Sequence, residues 1–250
     1  MNRKEFFAAL RRRDSGVFGT SLSAEQVRGV EALLDACAQN RITDAHHVAN
    51  ILAQCYHETA GAMQPIKETV MRHHKDKSPS DAEVIRRLDR AYQRGQLPWV
   101  KTPYWREGWF GRGFIQLTHE ANYRRHGVTK DQALVPAGAA RVAVVGMRDG
   151  TFTGRKLADY VFPAALDNGP ATNPRRIVNG SDGTDAMVAG YHRAFHAAIE
   201  AAGGWKRKPE PVVSHPLTPK PVVVSEPPSG EHQTRGWFAA LLAFFTGGKA

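Results

Sequence analysis

The sequence is poor in cysteine and lacks the residue spacings of zinc sites. Its 250 residues contain two cysteines, Cys37 and Cys55, each among apolar residues in a segment that favours a helix. Two thiols so placed predict neither a disulfide framework nor a metal site, and we expect reduced core residues. His57-Glu58 begins like a zinc metalloprotease motif, but Gly61 stands where that motif needs its second histidine. We therefore expect no metal and no cofactor.

Long hydrophobic runs are also missing. Residues 237–245 form an apolar run between Arg235 and Lys249, shorter than the roughly 20 residues of a spanning helix. Near the N-terminus, a short run at 6–10 is followed at once by three arginines. It lacks the longer apolar core and the small-residue cleavage site of a secretory signal. We therefore expect a product made in the cytoplasm.

Positive charge is in excess. The formal net charge is +10 and the sequence pI is near 9.9, so the surface attracts nucleic acid, anionic lipid or phosphate-bearing bacterial envelopes. The chain has no zinc-finger spacing, no basic region with heptads and no ribonucleoprotein motif. We therefore expect no nucleic-acid partner.

Helix signals recur from residue 4 to about 200, without a convincing pair of alternating strands. Ser23 opens a capping box before an apolar stripe. A second helix is predicted from Asp44 to near Gly61, and a third from Ser80 to Gly95. The fold class expected is all-α, mainly helical with long loops, among them a functional loop at 97–113.

The composition divides the chain into three parts. Residues 1–203 are expected to form one catalytic domain. Seven prolines then fall between Pro209 and Pro228, which predicts an extended linker over 204–235. The tail at 236–250 contains the apolar run Trp237 to Phe245, which is expected either to dock on a protein groove or to contact a membrane surface.

Glu58 continues an apolar stripe on the second predicted helix. Val48, Ile51, Leu52 and Cys55 precede it at helical spacing. Partial desolvation and the negative end of the helix dipole both favour a protonated carboxyl, as a general acid requires. The alternative is a glutamate at a frayed helix end that points to water.

A second informative block runs from Trp109 to His119, followed by Asn122 and Tyr123. Its Gly-Arg-Gly core allows close backbone approach, and Gln116, Thr118 and Asn122 offer donors and acceptors to sugar hydroxyls and acetamido groups. Alone, a glycine-flanked arginine is most often a turn.

Together, His57-Glu58-Thr59 and the block 111–119 resemble glycoside hydrolase family 19, the plant-type chitinases, and especially its bacteriophage endolysin branch. The stretches at 18–27, 152–157 and 175–180 are also similar to that branch. The resemblance spans roughly residues 4–200 and implies a lysozyme-like helical fold. It also implies inverting hydrolysis of a β-1,4 bond to an N-acetylated sugar.

Inverting hydrolysis uses two carboxyl groups, one as acid and one as base. The resemblance places the acid at Glu58. The base matches best at Glu68, with Glu107 as the alternative. The chain lacks the disulfide cysteines of plant chitinases, and its shorter segment between the two glutamates leaves the choice of base open.

The same resemblance assigns further roles. Thr118 matches a hydroxyl residue that holds the attacking water, and Gln116, Asn122 and Tyr123 lie in the sugar-binding block. Asn179 falls where the family binds sugar, or it is a turn residue before Gly180. Arg112 either orients a catalytic carboxylate or is a buried ion-pair partner.

These inferences predict an endolysin, a monomer that hydrolyses peptidoglycan glycan strands. Without a signal peptide, it would wait in the bacterial cytoplasm until a pore-forming partner, a holin, or a secretion system releases it to the wall. A chitinase is the first alternative, because chitin shares the linkage. A non-catalytic wall-binding or virion protein is the second.

Overall fold

The computed structural model of the protein describes residues 1–69, 76 and 78–205. Within these residues the chain is mainly helical, as predicted. It contains short 3-10 turns, seven α-helices and two short strands: α1 (Arg3–Leu10), α2 (Ala24–Gln39), α3 (Ala45–Glu58), β1 (Ile66–Lys67), α4 (Asp81–Gln93), β2 (Arg112–Gly113), α5 (Glu120–His126), α6 (Pro136–Asp149) and α7 (Asp185–Ala201).

The three helices whose starts were predicted from the sequence, α2, α3 and α4, begin at the predicted capping residues. Ser23 and Gln26 exchange both bonds of a capping box, at 3.1 and 2.9 Å. The Asp44 carboxylate accepts the backbone N–H groups of the first turn of α3, and the Ser80 hydroxyl accepts the N–H of Glu83 at 3.2 Å. Each satisfies a donor that the helix itself leaves free.

The predicted helix ends are close to those observed. Gly61 and Gly95, expected at left-handed caps, have φ values of 78° and 69°. α3 nevertheless ends at Glu58, with Thr59 as its cap. The final turn before Gly61 is therefore not α-helical, and Glu58 is the last residue of its helix.

The main core forms around α3. This helix packs on α7, and α2 packs on α6. Cys37 and Cys55 are both free and buried there, as expected. Trp205 also packs against this core, and its indole N–H donates to the Ile42 carbonyl at 2.8 Å. The packed part of the chain thus reaches Trp205, two residues beyond the predicted domain end.

A smaller core lies on α4. Val84, Leu88 and Ala91 pack there with Trp105 and Phe110, from the loop after α4. Phe114 belongs to the main core instead, so the chain passes from one core to the other between residues 110 and 114.

At that crossing lies a small sheet that we did not predict. β1 and β2 pair antiparallel, with Ile66 opposite Gly113 and Lys67 opposite Arg112. Two residues per strand are too few to produce an alternating pattern, which is why the sequence shows no strand signal. The sheet also corrects the predicted loop at 97–113, whose last two residues are β2 and which holds a 3-10 turn at Tyr104–Glu107.

No helix of the described residues is long and apolar enough to cross a membrane. Nearly all of the predicted linker, and the apolar run Trp237 to Phe245, lie outside the described residues.

Candidate active site

Glu58 is buried at the C-terminal end of α3. It is 2% exposed, so it does not lie at a frayed end that points to water. Its Oε1 lies 2.5 Å from Nη2 of Arg175, which is fully buried. Burial and the helix dipole at Glu58 were predicted from the sequence, whereas the contact with Arg175 was not.

Arg175 connects Glu58 to a buried polar network. Its Nη2 also contacts Asp182 Oδ2 at 2.8 Å, and its Nη1 donates to Gln54 Oε1 at 2.7 Å. The arginine lowers the pKa of Asp182 against the opposing effect of burial. Asn179 donates to Asp182 Oδ2 at 3.1 Å, and its own Oδ1 accepts the Gly180 N–H. We call Glu58, Arg175, Asp182, Gln54 and Asn179 the Glu58 cluster.

Glu68 directly follows β1 and is 3% exposed. Its backbone N–H donates to the Gly111 carbonyl, and Gly111 N–H donates back to Glu68 Oε2, both at 2.7 Å. The Tyr104 hydroxyl donates to Oε1 at 2.8 Å. Burial raises the pKa of Glu68, while the two hydrogen bonds and the charge of Arg112 act against that rise.

Gln116 lies against the same backbone. A Cβ added to Gly111 would sit 2.8 Å from Gln116 Oε1 and 3.4 Å from Glu68 Oε2. The Gln116 Nε2 donates to the carbonyls of Ile66 and Gly113, each at 3.1 Å, whereas its buried Oε1 has no hydrogen-bond partner among the described residues. Glu68, Tyr104, Gly111 and Gln116 form what we call the Glu68 cluster.

Backbone strain is concentrated near both carboxyl groups. The non-glycine residues with positive φ among the described residues are Arg41, Ala60, Met63, Thr69, Gln116 and His119. Ala60 and Met63 lie in the segment that joins Glu58 to Glu68, Thr69 directly follows Glu68, and Gln116 and His119 lie in the block at 116–119. Such conformations cost free energy and persist where surrounding contacts enforce them, often at functional sites.

Arg112, which follows Gly111 in the chain, and Tyr123 are both buried and bond each other. Arg112 is 1% exposed and pairs with Asp81 Oδ2 at 2.8 Å. Its Nη1 donates to the Gly108 carbonyl at 2.8 Å. The Tyr123 hydroxyl donates to the Phe110 carbonyl at 3.1 Å, and burial raises its pKa to about 12. Of the two readings of Arg112, these contacts match the buried ion-pair partner.

Thr118 and Asn122 are half-buried and adjoin each other. Asn122 Nδ2 donates to the Thr118 carbonyl at 2.9 Å, and among the described residues we find no bond to the Thr118 hydroxyl. Glu107, the alternative base, is exposed. Its carboxylate bonds no described residue, although its backbone carbonyl accepts Lys130 Nζ at 2.8 Å.

The structure therefore divides the predicted site residues into groups. Glu58 and Asn179 belong to one cluster, and Glu68 and Gln116 to the other. Sequence reasoning did not single out Gln54, Asp182 or Tyr104, and it used Arg175 only as part of a similar stretch. Gln54 and Tyr104 bond partners 121 and 36 residues away, which no local pattern marks.

The described residues contain no group of three or more histidine, cysteine or acidic side chains that could hold a metal ion. Comparisons with known proteins give no match, whether to a family model, a curated protein or a solved structure.

Proposed function

We propose that this protein is a lysozyme-like, inverting glycoside hydrolase that cleaves β-1,4 bonds between the N-acetylated sugars of peptidoglycan. One observation carries the proposal: Glu58, from a similar motif, and Glu68, the better match for the base, are both buried, and each is fixed by its own contacts at either end of one strained segment. Buried glutamates are uncommon unless paired or functional.

Glu58 serves as the general acid in this proposal. It donates its proton to the glycosidic oxygen as the bond to the leaving sugar breaks. The carboxylate that remains then faces Arg175 at 2.5 Å, in a site with little water to weaken the attraction. Arg175 thereby stabilises the anion that proton donation creates.

Glu68 serves as the general base. It removes a proton from a water molecule that attacks the anomeric carbon from the opposite face of the sugar. Burial raises its pKa toward neutrality, and a base is most effective when its pKa lies near the working pH. Gly111 N–H and Tyr104 hold the carboxylate in place.

Thr118 and Gln116 are proposed to contact water and substrate. The Thr118 hydroxyl supplies a hydrogen bond to the attacking water. The unpartnered Oε1 of Gln116 is an acceptor suited to a sugar hydroxyl or an acetamido N–H. Because both carboxyl groups are almost fully shielded from solvent, the glycan has to displace surrounding chain on binding.

Peptidoglycan is preferred over chitin because of charge. A protein with a formal net charge of +10 is drawn to an anionic bacterial envelope, whereas chitin is uncharged. We further propose that the enzyme is a monomer held in the bacterial cytoplasm until a pore-forming partner admits it to the wall.

Turbidity assays on outer-membrane-stripped Gram-negative cells test the function. Wild type should clear the suspension, and Glu58→Gln and Glu68→Gln should each slow clearing by at least about 100-fold. Glu107→Gln is the matched control, because the same substitution at an exposed carboxylate should leave the rate unchanged. NMR of the first product should show inversion at the anomeric carbon.

Unchanged lysis by Glu58→Gln would overturn the mechanism. Loss of activity in Glu107→Gln instead of Glu68→Gln would move the base to Glu107. A wild type that degrades colloidal chitin but not the cells would be a chitinase, and one that binds walls without releasing sugars would be a non-catalytic wall protein. Mass spectrometry of released fragments identifies which β-1,4 bond is cut.

A further inference from the structure

Tyr104 makes a contact that the motif resemblance does not include. It begins the 3-10 turn Tyr104–Glu107, in the loop after α4. Its hydroxyl donates to Glu68 Oε1 at 2.8 Å across 36 residues of sequence. Among the described side chains, it alone hydrogen-bonds the Glu68 carboxyl group.

The two carboxyl oxygens of Glu68 are held from different directions. Oε2 accepts a backbone N–H from Gly111 at 2.7 Å, which is fixed by the sheet next to it. Oε1 depends on Tyr104, which belongs to the smaller core. The phenol and the backbone therefore each bond one oxygen of the carboxyl group.

Tyr104 is itself well supported. Its ring packs edge-on against Trp105, with ring centroids 5.1 Å apart. Trp105 is fully buried, and its indole N–H donates to Asp89 Oδ1 at 2.9 Å. Tyr104 is thus anchored through a neighbour that cannot easily move.

The chemistry of Tyr104 restricts what it can do. Burial, followed by the charge of Glu68, raises its pKa well above the usual value of a tyrosine. The phenol therefore keeps its proton at any working pH, and it is a permanent hydrogen-bond donor rather than an acid or base.

We propose that Tyr104 is a positioning residue that fixes the Glu68 carboxylate in the orientation needed to take a proton from the attacking water. This inference rests on the proposed function, since it gives a task to the base named there. Without the hydroxyl, Oε1 would be buried with no partner, and the carboxylate would both rotate more freely and be less stable as an anion.

Tyr104→Phe tests the inference, because it removes only the hydroxyl. Tyr92→Phe is the matched control: Tyr92 packs on the same Trp105, with centroids 5.7 Å apart, and no described residue bonds its hydroxyl. With purified glycan strands, Tyr104→Phe should lower kcat by roughly 10- to 100-fold, the range for losing a hydrogen bond to a charged group. KM should change little, and Tyr92→Phe should behave as wild type.

The pKa of Glu68 distinguishes a positioning role of Tyr104 from a merely structural one. In Tyr104→Phe, the Glu68 carboxyl followed by NMR should titrate at a higher pH than in wild type. The acidic limb of the kcat/KM profile should move in the same direction, because a base must be deprotonated to act. Thermal unfolding of each variant verifies that it is folded.

The outcomes separate the two proposals. If Glu68 titrates and turnover proceeds in Tyr104→Phe as in wild type, the positioning inference is overturned and the proposed function stands. Full activity of Glu68→Gln would overturn the proposed function, whatever Tyr104→Phe does to the Glu68 titration.

Discussion

Arg175 and Glu58 form a buried ion pair, with Nη2 and Oε1 2.5 Å apart and side chains that are 0% and 3% exposed. The same Nη2 contacts Asp182 at 2.8 Å. One cation therefore lies between two carboxyl groups, and its removal leaves both groups without their positive neighbour.

Arg175→Gln should be strongly destabilising for that reason. Breaking a buried pair by removing one partner costs about 3 to 5 kcal/mol, and urea unfolding with activity assays on the folded fraction would measure both effects. Arg176→Gln is the matched control, because the neighbouring arginine makes no ion pair with a described residue. Equal stability of the two variants would show that the Glu58 pair contributes nothing.

Gly111→Ala tests how closely Gln116 and Glu68 pack. A Cβ there would lie 2.8 Å from Gln116 Oε1 and 3.2 Å from Gln116 Cβ, so the side chain must shift. We expect the free energy of unfolding to fall by about 1 to 3 kcal/mol. Turnover should fall by a larger proportion, because the proposed base Glu68 lies beside the displaced amide.

Gly190→Ala is the control for that substitution. Gly190 lies in α7, where a Cβ meets no atom within 4 Å, and alanine favours a helix by about 0.5 to 1 kcal/mol over glycine. It should be neutral or stabilising in the same thermal melt. Full activity and stability of Gly111→Ala would contradict the close packing.

Four histidines between α3 and α7 predict acid lability. His46 stacks in parallel on His196, with ring centroids 3.8 Å apart, and its Nδ1 lies 3.1 Å from Nε2 of His192. Burial lowers the pKa of His192 to about 3 and also lowers those of His46 and His47.

We call His46, His192 and His196 the histidine stack. The charges around it do not cancel the lowering of the histidine pKa values by burial. Asp44 and Glu200 favour protonation of His46, whereas Arg193 opposes protonation of His192. The net direction for His46, His47 and His192 is still downward. The stack therefore prefers neutral rings.

The sign of the pH dependence follows from linkage. Each folded-state pKa lies below the ordinary value of about 6.5, so the unfolded chain binds more protons as the pH falls. The free energy of unfolding should decrease below pH 6.5, and for His192 the decrease should continue to about pH 3, at up to about 1.4 kcal/mol per pH unit. Glu68 acts in the opposite direction because its pKa is raised.

Urea unfolding at pH 7 and pH 4.5 would measure this loss. The free energy of unfolding should decrease less between pH 7 and pH 4.5 in His192→Gln than in wild type. His126→Gln makes the comparison specific: His126 is also buried with a pKa near 4, but it lies outside the stack. An unchanged pH dependence in His192→Gln would exclude the stack as the cause.

Local signals sufficed for three of the seven helices of the described residues, but not for the sheet. Ser23, Asp44 and Ser80 predict helix starts because each satisfies backbone donors within its own first turn. The sheet depends on pairing between Ile66 and Gly113, and two-residue strands leave no periodic pattern. Only the folded chain shows it.

The candidate site also contains residues that the sequence predicts and residues that it does not. Glu58 could be chosen from a motif, whereas Glu68 was the best match for the base and Glu107 stayed an alternative. The partners of Glu58 and Glu68 could not be chosen in this way: Arg175 reaches Gln54 across 121 residues, and Tyr104 was one of several aromatics in its loop. Long-range contacts of this kind carry no local signature.

Asp81→Asn addresses the role of Arg112, which the sequence left open. Asp81 Oδ2 is the only described carboxylate paired with Arg112, at 2.8 Å, and Asp81 Oδ1 pairs with Lys67 at the same distance. If Arg112 is structural, the free energy of unfolding of Asp81→Asn, measured with urea, should fall by about 1 to 3 kcal/mol. The partial exposure of Asp81 reduces this loss. Turnover of the folded protein should hardly change.

If Arg112 instead orients Glu68, Asp81→Asn should change turnover more than stability. Arg112 would act on Glu68 through its charge, which already lowers the pKa of that carboxyl. Arg112→Lys, which keeps the charge but loses the planar guanidinium, would then retain most activity. We expect the structural outcome, because the hydrogen bonds that the Arg112 side chain makes to described residues reach Asp81, backbone carbonyls and Tyr123, and its guanidinium lies over the Phe110 ring.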